Sequence, residues 1–175
     1  MRRAAITLIV SVAASTFAAA QSDPLSHSIK DQWQSAKKNI VESAAQMPEA
    51  NYGFKPVDTV RTFGAILAHV AGANYVFCSA ALGEKPPHGE DEFEKTAKTK
   101  AAITKALQDS VAYCDRAYDK LTDRSAAEMV PGAFGGPTAP RASALMGNTG
   151  HLEEHYGNLV TYFRIKGMVP PSSKQ

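Results

Sequence analysis

Residues 139–167 read APRASALMGNTGHLEEHYGNLVTYFRIKG, and the fold class follows from reading them as one helix. The helix should run from about Ala139 to Lys166, with Gly167 as its C-terminal cap and Pro170-Pro171 closing it. His151 and His155 form an H-x-x-x-H pair inside it, so both imidazoles project from one face, one turn apart. Asn148, Leu159 and Tyr162 share that face, and Gly147 and Gly150 lie beside it. A His pair at this spacing can bind one divalent ion, with Asn148 and Tyr162 as pocket residues.

Working outward, three further amphipathic segments appear. The first helix should start at Asp23-Pro24, an N-cap residue followed by Pro at the first helical position. Leu25, Ile29, Trp33, Ala36, Ile40 and Ala44 then recur at steps of four and three, and Met47-Pro48 ends it. A second helix should run from about Val60 to Leu82, stopped by Gly83, with Phe63, Leu67, Val70 and Phe77 as its stripe. After a polar link at residues 88–92, a third runs from about Thr96 to Leu121 on Ile103, Leu107, Val111, Cys114 and Tyr118. Residues 122–138 form a Gly/Pro-rich loop, and no segment alternates convincingly as a strand. The expectation is all-α, a four-helix bundle.

His69 is the natural third ligand. It lies about nine residues into its helix and His155 about eleven from the end of its own, so in antiparallel helices rising ~1.5 Å per residue their levels nearly coincide. Alone, His69 would be read as a core histidine bonded to a carbonyl. Three histidines converging inside a bundle are better explained by a metal, and three His with one open position is a common catalytic zinc pattern. Nickel and iron also accept imidazole. His27 and His88 read as solvated. His151-Leu152-Glu153-Glu154-His155 also matches the H-x-x-E-H peptidase pattern, but no Asp or Glu follows His155 to complete that ligand set.

The N-terminus reads as a leader. Arg2-Arg3, an apolar run from Ala4 to Val12 and Ala18-Ala19-Ala20 before Gln21 match the three regions of a cleaved signal peptide, residues 1–20. The remaining residues 21–175 form one domain, periplasmic or secreted. The leader holds two of the 19 Lys and Arg and no acid, which leaves 17 basic residues against 17 Asp and Glu. A neutral mature chain lacks the clustered basic face of a nucleic-acid binder. No later apolar stretch is read as a membrane span. In an exported chain Cys78 and Cys114 suggest a disulfide, buried free thiols being the other reading. Each lies about 18 residues into its helix, so they stand level only if the second and third helices run parallel. That order is up-down-down-up.

With these residues in view, the chain resembles the DinB/YfiT-like superfamily. The likeness rests on Phe63-Gly64-Ala65-Ile66-Leu67-Ala68-His69-Val70, on His151 to His155 followed by Tyr156-Gly157-Asn158-Leu159-Val160, and on the ending Arg164 to Pro171. The resemblance implies an up-down-down-up four-helix bundle, a three-His site for zinc or nickel, and a homodimer. Characterised relatives include transferases and isomerases dependent on bacillithiol, mycothiol or glutathione. The export signal is a departure, since such thiols are abundant in the reducing cytoplasm. Three readings therefore stand: a metal-dependent transferase or hydrolase acting on a small molecule, a non-catalytic exported metal- or ligand-binding bundle, and a peptidase through H-x-x-E-H.

Overall fold

The computed structural model describes residues 23–174; the expected leader, residues 1–20, lies outside them. Helix α1 (Pro24–Gln46) begins with Pro24, whose missing N–H costs nothing in the first turn. Asp23 precedes it without capping it by its own side chain. That carboxylate instead accepts the backbone N–H of Asp123 at 2.8 Å, and Asp123 in return accepts the N–H groups of Ser26 (2.7 Å) and Leu25 (3.3 Å). Each aspartate thus satisfies the free donors at the start of the other's helix.

Helix α2 (Phe63–Leu82) starts three residues later than periodicity suggests, because Thr62 caps it by accepting the Ala65 N–H at 3.2 Å. Gly83 ends it in the left-handed region, φ 72°. Contrary to the expectation of no further membrane-length segment, α2 is long and apolar enough by length and composition. It is apolar on nearly every side because it is buried on nearly every side, from Phe63 and Leu67 to Cys78 and Ala81.

The expected third helix starts four residues late, at Lys100, and a separate short helix precedes it. Glu92–Thr96 forms that short helix, α3; Ala97 is extended, and α4 (Lys100–Asp119) begins under a Thr99 cap that accepts the Ala102 N–H. Next comes α5 (Asp123–Ala126) with a capping box between Thr122 and Ser125. The loop beyond holds a short antiparallel pair not foreseen by alternation: β1 (Met129–Val130) with β2 (Ala139–Pro140). Helix α6 (Arg141–Ile165) follows, and Arg141 ties its start to the Ala81 carbonyl, the Ser125 carbonyl and the Glu128 carboxylate.

Contacts between the long helices give their directions. Along α2 and α4 the partners rise together: Gly64 against Ile103, Asn74 to Ser110 at 3.0 Å, Cys78 to Cys114 by a disulfide with Cα atoms 5.2 Å apart, and Glu84 to Arg116 at 2.9 Å. These two helices run the same way. Along α2 and α6 the numbers run oppositely, Phe63 edge-on to Phe163 and Phe77 against Gly147. α1 is likewise antiparallel to α4, with Lys37 on Asp115, Lys30 on the Asp119 carbonyl and Lys100 on the Met47 carbonyl.

The core lies between these helices. Trp33 stacks on Tyr118 with ring centroids 4.4 Å apart and planes within 6°. The Tyr118 hydroxyl donates to the Leu145 carbonyl at 2.7 Å, and burial pushes its pKa up to about 12. So α1, α4 and α6 meet on one aromatic stack while α2 carries the opposite side.

Candidate metal centre

Three histidine rings from two helices meet at one level of the α2–α6 seam. His69 Nε2 lies 3.1 Å from His151 Nε2, and His155 Nε2 lies 3.1 Å from the same atom. The ring centroids are 4.4 to 5.0 Å apart. His69 and His155 are buried and His151 is half-buried. Helix geometry explains the pair on α6, one turn apart, while α2, packed on nearly every side, turns His69 toward it.

The electrostatics favour neutral rings at His151 and His155. Burial first, then the neighbouring rings and Arg61, push the pKa of His151 down to about 3. Burial and His69 push His155 down to about 4, against the opposing pull of Glu154 and Glu94. Neutral imidazole is the form that binds metal. Nitrogens held at about 2.0–2.1 Å by a tetrahedral ion stand roughly 3.3 Å from one another, close to the separations found here. The Nδ1 atoms of His69, His151 and His155 are all buried without a hydrogen-bond partner. The donor set, three nitrogens and no thiolate, fits zinc, nickel or another imidazole-binding divalent ion.

His69 has different surroundings. Its Nδ1 lies 3.2 Å from Glu94 Oε1 and 3.8 Å from Glu90 Oε1. Glu94 also accepts Arg61 Nε at 3.1 Å, and the Arg61 carbonyl accepts the Tyr162 hydroxyl at 2.7 Å. Glu94 sits on α3, and the link leading into α3 comes close to α2 at Gly72, where a Cβ would run into the Glu90 backbone. On the other flank Phe77 packs beside His151, and Phe134, in the left-handed region at φ 55°, packs edge-on to Phe77.

A cleft of about 790 Å³ opens beside His155, lined by Pro56, Arg61, Glu154, Asn158, Thr161 and Tyr162 among others. Of the residues expected in a pocket, Tyr162 lines this cleft. Asn148 does not. Its amide donates to Tyr118 at 3.3 Å and lies 3.7 Å from Cys114 Sγ, so the residue faces α4 in the core. α6 packs on both α1 and α2, and a face broad enough to hold His151 and Asn148 is split between the cleft and the interior. His27 is exposed, whereas His88 is half-buried against Tyr75 and Phe93 with Glu92 at 2.9 Å from its Nδ1. Sequence reasoning missed Glu94, Arg61 and Phe77 as neighbours of the histidines. Glu94 lies in an aperiodic segment, Arg61 falls in the expected first turn of the second helix that the structure leaves outside α2, and Phe77 reads from sequence only as core stripe.

The sequence model of the DinB superfamily matches residues 32–159. The chain belongs to this superfamily. Solved structures share the DinB fold. A DinB-like protein from Bacillus cereus ATCC 10987 superposes with a TM-score of 0.69 at 16% identity, covering 83% of this chain and 95% of the other. A conserved protein from Enterococcus faecalis gives 0.62 at 17%, covering 81% and 96%. A mycothiol-dependent maleylpyruvate isomerase gives 0.60 at 16%, covering 77% of this chain and 60% of that longer one. No curated protein sequence matches this DinB chain significantly. At such identities the likeness establishes the fold.

Proposed function

We propose that this DinB protein is exported, folds as an up-down-down-up four-helix bundle, and holds one divalent ion, zinc or nickel, on His69, His151 and His155. In this reading it acts as a metal-dependent transferase or hydrolase on a small molecule, with a thiol as one candidate co-substrate. The convergence of three Nε2 atoms, two pairs of them at 3.1 Å, carries the reading. Three imidazole nitrogens facing one another at these separations are spaced as a single divalent ion would hold them. The Cys78–Cys114 disulfide supports an oxidising destination. The structural likeness to a mycothiol-dependent isomerase supports a thiol-linked chemistry on this fold.

When bound, such an ion lowers the pKa of a coordinated water or thiol, or polarises a carbonyl. The chain's own residues do the rest. Tyr162 and Pro56 give the cleft its wall, Asn158 and Thr161 offer polar contacts for orienting a ligand, and Arg61 puts positive charge beside the histidines. Glu154 lines the same cleft and offers a carboxylate for moving a proton at its rim. The cleft favours this reading over a non-catalytic bundle, because it reaches His155 from solvent.

Metal content of the mature chain, purified without a histidine tag, tests the assignment. About one equivalent of zinc or nickel is expected in wild type, lost in both His69→Ala and His151→Ala. No ion in wild type, and no uptake on reconstitution, would reduce the histidines to core polar groups.

A further inference from the structure

We propose that Glu94 is the positioning residue of the metal centre: its carboxylate holds His69 with the proton on Nδ1, so that Nε2 keeps its lone pair for the ion. The inference rests on the three-His reading above and concerns what makes one of those ligands ready. A neutral imidazole has two tautomers, and only the one protonated at Nδ1 can bind a metal through Nε2. For His69 the acceptor is a carboxylate oxygen 3.2 Å from Nδ1, close enough to take a hydrogen bond from Nδ1–H after a small rotation of the ring, the two groups not being aligned for one in this arrangement. His69 is 6% exposed, so water does not compete strongly for that nitrogen. Such an acceptor also raises the basicity of the metal-binding nitrogen.

The carboxylate is itself held. Its second oxygen takes Arg61 Nε at 3.1 Å, and Arg61 is anchored through its carbonyl to the Tyr162 hydroxyl. The chain of contacts therefore runs from the cleft wall to the ligand: Tyr162, Arg61, Glu94, His69. Glu90 is the rival acceptor, but at 3.8 Å from Nδ1 it is beyond hydrogen-bond range. A second rival is a further cation shared by His69, Asp91 and Glu94, whose ligand atoms lie within 4.8 Å of one another. Asp91 is exposed, and the guanidinium of Arg61 already balances the Glu94 charge and would repel a cation. An acceptor role for Glu94 accounts for both neighbours. The Nδ1 atoms of all three rings are buried without a hydrogen-bond partner in this arrangement, but His69 has a carboxylate oxygen 3.2 Å from its Nδ1, so it is the ligand that Glu94 can orient.

The test is zinc affinity of the full mature chain, measured by competition with a chromophoric chelator, for wild type, Glu94→Gln, Glu90→Gln and Asp91→Asn. Glu94→Gln keeps the shape and removes the charge; it should bind zinc roughly 10–100-fold more weakly, with the other two within about two-fold of wild type. The melting temperature of the metal-free protein should be the same in all four, and the cobalt(II) ligand-field bands should shift only in Glu94→Gln. A nitrogen-15 spectrum of zinc-loaded wild type supplies a readout without any substitution: His69 should show a protected Nδ1 proton. Unchanged affinity in Glu94→Gln, or a His69 ring protonated at Nε2 in the loaded protein, would overturn the inference while leaving the three-His site standing. Two equivalents of zinc in wild type with one lost in Asp91→Asn would make Glu94 a ligand instead and also overturn it. Wild type that takes up no zinc at all would instead remove the reading on which the inference depends.

Discussion

At the residue scale, what the histidines give the protein depends on pH even without an ion. His151 and His155 have folded-state pKa values of about 3 and about 4, far below the 6.5 of a free imidazole. Between these limits the unfolded chain binds more protons than the folded one, so stability is fully present above about pH 6.5 and is lost as pH falls toward about 4. The metal-free protein should therefore melt several degrees lower at about pH 5 than at about pH 7, and His151→Gln should show a smaller drop. A scan of melting temperature against pH decides this, and a flat profile in wild type would mean that the rings titrate normally. Tyr118 shows the same physics without the switch. Burial raises its pKa to about 12, so its hydroxyl keeps donating to Leu145 across the accessible range.

At the scale of elements, the close approach to α2 of the link that leads into α3 depends on one missing side chain. Gly72→Ala would drive a methyl group into the Glu90 backbone, and backbone cannot move aside as a flexible side-chain tip can. The expected result is a displaced α3 with little loss of helix, seen as near-wild-type circular dichroism together with weaker zinc binding; unchanged zinc affinity would show that the crossover can shift without disturbing His69. This is also where the reading of sequence reached its limit. Helical period located the long helices to within a few residues, and counting levels along antiparallel helices brought His69 beside His155. Both arguments need only local geometry. Asn148 exposed the first weakness: a shared helix face becomes two environments once two other helices divide it. Glu94 exposed the second, since it acts on a residue 25 positions away through a turn that carries no period of its own. The short helix at Glu92–Thr96 was hidden for the same reason, as was the late start of α4, whose Thr99 cap is a single side chain in a polar run.

At the scale of the whole molecule, the disulfide joins parallel helices whose connection must cross the full length of the bundle. Closing a loop of 36 residues should stabilise the fold by about 3–4 kcal/mol through the unfolded chain. Cys78→Ser with Cys114→Ser should therefore melt well below wild type under oxidising conditions and match wild type under strong reductant; equal melting in both conditions would show that the bridge adds nothing. The three-His cluster is divided more widely still. Its two halves are 82 residues apart along the chain, from His69 to His151. A ribosome delivering this chain from its first residue makes His69 long before either partner exists, and half a cluster has little hold on an ion. Loading must wait until α6 docks. In the proposed reading of an exported metal protein, the compartment in which α6 docks, rather than the one in which synthesis began, would set which ions are on offer to the three histidines.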